Sequence, residues 1–344
     1  MFEPPPDTIT ITDTRLESIQ DLSRLQVSGL KVVHNRLRTL DSITLPPTLT
    51  YLSITRNILQ TDGWPTAPHP NIKTLIADNN DIRYIGEDFS HAFPSLEHLS
   101  LSNNNIEDTD FLKYCRNLKS LRLDSNNIMT LNHLPLNLEE LIINDCIIHM
   151  IQSRLPEKIE KIQMSGNRLK FGGLPLYWGK ALRSLDLSKN DINRFPRNLP
   201  ETLESLSIQY NQITALPNKL PASLRYLNIT KNRIRTIPDY ERKKPLQCLL
   251  ASHNELTSDA KPTWSVVFYA ANNWTTAEHH ILQKKILKFW RQGILMKRLR
   301  NYSRCRIIKD ELLMVAMQPS RCLQIDVIQP AWLQLSSCTD RRSG

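Results

Sequence analysis

Residues 203–213 read "LESLSIQYNQI", and the same eleven-residue pattern returns along most of the chain. Apolar residues stand first, fourth, sixth and last, and an asparagine stands ninth. Upstream copies are "VSGLKVVHNRL" (27–37), "LTYLSITRNIL" (49–59), "IKTLIADNNDI" (72–82), "LEHLSLSNNNI" (96–106) and "LKSLRLDSNNI" (118–128). Others are "IEKIQMSGNRL" (159–169), "LRSLDLSKNDI" (182–192), "LRYLNITKNRI" (224–234) and "LQCLLASHNEL" (246–256). In "LEELIINDCII" (138–148) Cys146 takes the asparagine slot. Two divergent copies flank the series, "ITITDTRL" (9–16) with Thr14 in the slot and "WSVVFYAANNW" (264–274) with Asn272 there. This makes thirteen units spaced 18 to 24 residues apart. A fixed period of this length predicts a solenoid of stacked units with atypical terminal units.

The chemistry of one unit explains its spelling. Alternation in the x-L-x-L-x part of the unit predicts a short strand with every second side chain turned inward. The chain must then bend, which leaves buried backbone groups without partners. A buried amide both donates and accepts. A column of Asn35, Asn57, Asn80, Asn104, Asn126, Asn167, Asn190, Asn211, Asn232 and Asn254 could therefore pair the bends of successive coils, each removing a penalty of about 1–3 kcal/mol. Cys146 and Thr14 bond more weakly, so the column should be imperfect there.

The pattern resembles the leucine-rich repeat family over roughly residues 5–275. That resemblance implies an α/β fold class: a right-handed solenoid with a parallel concave β-sheet and a short extended or 3-10 convex side. The convex halves contain prolines, as in "RFPRNLPETL", "ALPNKLPASL" and "TIPDYERKKPL". Proline removes a donor and fixes φ, which favours extended backbone. In this the chain looks like the short, proline-marked repeats of bacterial leucine-rich effectors. The unit containing "IGEDFSHAFPSL" (85–96) is longer, with room for a helical turn.

Outward strand positions define a candidate surface. One column runs through Tyr51, His98, Glu140, Lys161 and Tyr226, and the next includes Arg122. Serine, threonine and asparagine fill most of the remainder, with no stripe of one charge. Nucleic acid would call for such a stripe. Tyr51, His98, Arg122, Glu140, Lys161 and Tyr226 are the candidate contacts for a protein partner, since tyrosine and arginine carry much interface energy. The competing reading is a solvated sheet face.

The net charge of +10 sits mostly at one end. Residues 277–344 hold 13 Lys+Arg against 5 Asp+Glu, leaving 31 against 29 in residues 1–276. Three parts follow: a solenoid over 1–276, a basic helical segment over 277–330, and a disordered tail over 331–344. "AEHHILQKKILKFWRQGILMKRLR" (277–300) has apolar residues near helical spacing, which predicts a cap docked on the last coil. Through residues 277–309 it also offers a weak route to nucleic acid, an anionic membrane or a calmodulin-like protein. Glu311, Leu312, Ala316, Pro319 and Arg321 resemble a short C-terminal segment of giant DNA virus proteins, which implies a viral protein acting on host proteins.

Several function classes lack their residues. No P-loop, GxGxxG or HExxH stretch occurs, and no cofactor or metal ion is expected. The six cysteines are scattered, which fits a reducing, intracellular setting. No secretion signal or apolar run of membrane-spanning length is read. Sequons at Asn228, Asn273 and Asn301 are chance matches on this reading. "SCTDRR" (337–342) resembles the Cys-x-Asp motif of bacterial effector ubiquitin ligases, in which Cys338 would be the nucleophile and Asp340 its assisting carboxylate. That enzyme, or a ligase adaptor, is the alternative function, but the large helical body such ligases need does not fit the 68 residues of 277–344. The expected function is a non-enzymatic protein-binding scaffold.

Overall fold

The strands fall where the alternation predicts them, three residues long in most coils. In this computed structural model they are β1 (Ile9–Thr12), β2 (Gly29–Val33), β3 (Tyr51–Ser53), β4 (Thr74–Ile76), β5 (His98–Ser100) and β6 (Ser120–Arg122). They continue with β7 (Thr130–Leu131), β8 (Glu140–Ile142), β9 (Met150–Ile151), β10 (Lys161–Gln163) and β11 (Ser184–Asp186). The last are β12 (Ser205–Ser207), β13 (Tyr226–Asn228), β14 (Cys248–Leu250) and β15 (Val267–Phe268). The structure describes residues 2–256, apart from 13–14, 20, 42, 62, 153, 239, 241–245 and 247, together with strand β15.

All but β7 and β9 join one thirteen-stranded sheet in chain order, and every pairing is parallel. Register never slips. The column from Thr10 pairs through Lys31, Ser53, Ile76, Ser100, Arg122 and Ile142 to Gln163, Asp186, Ser207, Asn228, Leu250 and Phe268. A one-residue slip would turn the leucine column out of the core. That column, from Leu30 to Leu249, is 0–1% exposed throughout. Burying each such side chain contributes about 1.5–3 kcal/mol.

The asparagines lie inside the bends. All ten are buried, and each donates Nδ2–H to carbonyls of its own coil and of the coil before. Asn104 is representative: it donates to Ala77 O and Leu101 O at 3.0 Å, and its Oδ1 accepts the Ile82 N–H at 3.1 Å. In the same way Oδ1 of Asn57, Asn126, Asn190 and Asn232 accepts from Leu37, Ile106, Leu169 and Ile213. Cys146 fills its rung with sulfur contacts at 3.4 and 3.5 Å to Leu123 O and Asn144 O. Thr14 lies outside the described residues.

The residue before each slot adopts a left-handed backbone, from His34 and Arg56 through Ser125 and Asp145 to Lys231 and His253. In one coil that residue is glycine, Gly166, at φ +70. None of the eleven is β-branched, which fits the cost of φ > 0 for such side chains.

The convex side is thin, as its prolines require. Among the described residues it holds one short helix α1 (Asp88–Ala92) in the longer unit, 3-10 turns at Asp110–Tyr114 and Phe171–Gly173, and the β7–β9 pair. Under α1, Phe89 stacks edge-on with Trp64, Phe93 and Phe111 at ring separations of 4.9–5.8 Å. Contacts divide the chain into units 1–274 and 275–344. The expected helical cap, the viral-type segment, Asn301, Cys338 and Asp340 all lie outside the described residues.

Candidate functional site

Parallel sheets are usually covered on both faces. Here the face opposite the leucine core carries polar and charged side chains. The structure gathers four of the six expected contacts on β5, β6, β8 and β10. His98, Ser120, Glu140 and Lys161 occupy successive positions of one column, and Arg122 stands beside it on β6. Tyr226 is three strands beyond Lys161, on β13. Tyr51 is two strands before His98 and only 4% exposed, so it is covered where the sequence reading left it free. The Tyr51 hydroxyl is pushed up by this burial and by Asp78.

Charge in the patch is mixed and interlocked. Lys161 Nζ donates to Glu140 Oε1, and Ser120 Oγ donates to Oε2 at 3.0 Å. Burial pushes the Glu140 carboxyl up, but Lys161 and Ser120 together hold it below the ordinary range. Burial pushes the His98 imidazole down, which favours the neutral ring. The Arg122 guanidinium acts electrostatically on Asp78, Asp124 and Glu140. Its Nε and the Nδ1 of His98 are buried without a hydrogen-bond partner.

A second polar ladder runs along the same face two residues further on. Asp78 Oδ1 accepts from Ser100 Oγ at 2.6 Å and Ser102 N–H at 2.8 Å. Asp124 Oδ1 accepts from Asn144 N–H, and Asn144 Oδ1 from Ser165 N–H, both at 2.8 Å. In the Arg122 column itself, Asp186 and Asn228 accept the N–H groups of Ser188 and Thr230, two residues on in their own coils. These side chains pair strand ends that would otherwise be orphaned. Asn228, one of the sequon residues, is 0% exposed and donates to Gln209 Oε1 at 2.8 Å. Burial pushes the carboxyls of Asp78 and Asp124 up, against the pull of these hydrogen bonds.

Sequence reasoning missed Phe2. Its ring lies 5.1 Å from that of His98, and the Arg122 guanidinium stands 5.5 Å from its centroid. The signal was present as "FEPPPD", a proline run that stiffens the chain ahead of β1.

A coil-by-coil parallel sheet, closed by an asparagine column and bearing one open face, is the geometry the repeat resemblance implied. The family model described as "Leucine Rich repeats (2 copies)" matches residues 70–114 and 94–136. The chain has the leucine-rich repeat fold. It is 31% identical over 156 residues to human lumican, covering 40% of this chain and 42% of that one. It spans only 14–42% of the length of the curated relatives it matches. Among solved structures, it is similar to YopM, a leucine-rich effector protein from Yersinia pestis, at 26% identity and a TM-score of 0.56, over 72% of each chain. It is also similar in fold to a chain in an octameric complex of latrophilin 3, Unc5D and the leucine-rich repeats of FLRT2, with a TM-score of 0.60 and 20% identity, over 76% of this chain and 90% of that one. Leucine-rich repeats are commonly protein-interaction scaffolds, and structural neighbours of this chain occur in complexes with protein partners. Among the described residues no His/Cys/Asp/Glu group could hold a metal ion, and no helix is long and apolar enough to cross a membrane.

Proposed function

We propose that this repeat protein is a non-enzymatic scaffold that holds a protein partner on the open sheet face. His98, Arg122, Glu140 and Lys161 form the central contact patch, and Tyr226 flanks it. Tyr51 acts by packing beneath the contact rather than by exposure. The observation that carries this reading is Arg122: a half-buried guanidinium, facing outward from a sheet whose other side is the core, with Nε unpaired. Structural arginines are paired within the fold, whereas interface arginines find their acceptors on the partner. Cys115 and Cys146 are buried free thiols, which suits the reducing compartment the sequence implied.

Crosslinking capture from expressing cells tests this, comparing the intact chain with Arg122→Ala and with Lys161→Ala/Tyr226→Ala. A specific partner should be lost or weakened at least about tenfold, equivalent to 1.4 kcal/mol, by both variants. Capture that is indifferent to both, in chains that melt normally, would remove the open face from consideration.

A further inference from the structure

The stretch ahead of β1 turns back across the open face instead of leaving it clear. Prolines 4–6 fix their own φ, and each X-Pro step holds Glu3, Pro4 and Pro5 in extended backbone. A turn over Pro5–Thr8 reverses the chain, with Thr8 N–H and Oγ1–H both donating to Pro5 O at 3.2 and 2.5 Å. Asp7 fastens that turn to the second coil. Ser28 N–H donates to Asp7 Oδ2 at 2.6 Å and the Ser28 hydroxyl donates to Oδ1. These bonds hold the Asp7 carboxyl below its ordinary range.

From that anchor the segment runs over the sheet. A Cβ on Gly29 would stand 2.0 Å from Thr8 Oγ1 and 3.2 Å from Pro5 Cδ, so glycine in β2 makes the room this crossing uses. Phe2 then ends between His98 on β5 and Arg122 on β6. Three strand spacings separate β2 from β5, about 14 Å. Three residues of extended proline-type backbone span about 9 Å, and the side chains of Phe2 and Arg122 close the remainder. Tyr51 stands on β3, between Gly29 on β2 and His98 on β5 in the same column. Phe2 is half-buried while Glu3 and Pro4 are exposed, so the segment is seated by its ends.

The seat is occupied but unsatisfied. Phe2 covers the Arg122 side chain and supplies a cation–π contact worth about 0.5–1 kcal/mol. It offers no acceptor to Arg122 Nε and no partner to His98 Nδ1, and an orphaned buried polar atom costs about 1–3 kcal/mol. An incoming chain that brings both a ring and an acceptor would do better than the resident.

We propose that the face from β2 to β6 is a groove for an extended, proline-rich peptide carrying an aromatic residue, and that residues 2–6 are its resident occupant. This rests on the open face being the protein-binding surface, and it names the partner's chemistry: proline-type extended backbone over Gly29 and Tyr51, an aromatic ring at His98, and an oxygen acceptor for Arg122. Extended proline segments are suited to such grooves because little order is lost on binding. Tethering holds the resident at an effective concentration on the order of mM, so a partner engages only by outcompeting it.

The test uses a fluorescent peptide, FEPPPDT, titrated by anisotropy into the full chain, into Phe2→Ala, and into Phe2→Ala combined with Arg122→Ala or His98→Ala. Removing the resident ring should tighten peptide binding at least about tenfold over the unsubstituted chain. The added Arg122→Ala or His98→Ala should reverse that gain, and an AEPPPDT peptide should bind neither chain. Circular dichroism melts establish that each variant is folded. Equal peptide binding to the unsubstituted chain and Phe2→Ala, no binding to either, or indifference to both Arg122 and His98 overturns the groove. If the peptide fails while partner capture still depends on Lys161 and Tyr226, the groove falls and the scaffold reading stands.

Discussion

The backbone N–H of Asn126 points at the sulfur of Cys146 in the next coil, 3.4 Å away, where an asparagine amide stands in the neighbouring rungs. Sulfur is a weak acceptor and its thiol a weak donor. Burial raises that thiol to about 11, so it stays protonated. The carbonyls of Leu123 and Asn144 that an amide would engage are already in place.

Replacing this sulfur with an amide should therefore strengthen the column. Cys146→Asn is expected to gain about 0.5–1.5 kcal/mol, the net value of an ordinary hydrogen bond. Asn126→Ala should lose more, about 1–3 kcal/mol, because it leaves the buried Ile106 N–H and several carbonyls unpaired. Urea midpoints at unchanged slope measure both. A destabilised Cys146→Asn would mean that this coil is shaped to the larger, softer sulfur.

The left-handed residue before each slot gives a second handle. Lys189 is exposed, at φ 53, and its backbone N–H already donates to Gln209 O at 2.9 Å. Glycine relieves the strain of that conformation but loosens the unfolded chain, and the difference favours Lys189→Gly by about 0.5–1 kcal/mol. Gly166→Ala should cost about 1–3 kcal/mol. Its Cβ would stand 2.1 Å from Asp145 Oδ1 at a φ of +70. Thermal melts of the two variants should move in opposite directions.

Beneath α1, Phe89 is 1% exposed and contacts three other aromatic rings. Phe89→Ala should cost about 3–5 kcal/mol through lost burial and the cavity left behind. Phe89→Leu, which keeps most of the volume, should cost markedly less. Equal losses in the two variants would show that ring geometry, not filled space, holds the longer unit.

The repeat was legible because it is written in residues that the fold needs at fixed spacing. Leucine at the strand centre and asparagine at the bend have no cheap substitutes, so register and column positions could be read directly. The open face is different. Its residues are chosen by neighbours rather than by period, and reading it as uniformly outward misplaced Tyr51. Ile142 and Leu250 share the outward column yet are 5% and 2% exposed. The Asp78–Asp124–Asn144 ladder was visible only as a polar column, since its partners are backbone N–H groups in the next coil. The crossing of Phe2 was hidden for a related reason: a proline run announces stiffness, not direction, and the direction is set by the Pro5–Thr8 turn and the Asp7–Ser28 bonds.

The open face should also divide by pH response. Asp78 and Asp124 have carboxyls raised by burial, so the folded chain binds their protons more tightly than the unfolded chain does. Their contribution is fully present below the ordinary aspartate value of 3.8 and is lost as pH rises through the raised folded values. Glu140 is held down by Lys161 and Ser120, so its contribution is present above its ordinary value of 4.5 and is lost as pH falls through the lowered folded value. Asp78→Asn/Asp124→Asn keeps an acceptor oxygen in each position and should be more stable than the parent at pH 7, with the gain shrinking toward pH 3.5. Glu140→Gln should be less stable than the parent at pH 7, with the deficit shrinking over the same descent. Urea midpoints followed from pH 7 to 3.5 therefore should draw two difference curves of opposite sign. Two curves of the same sign would place the burial of Asp78 and Asp124 second to the pull of Arg122, which lies among all three carboxylates.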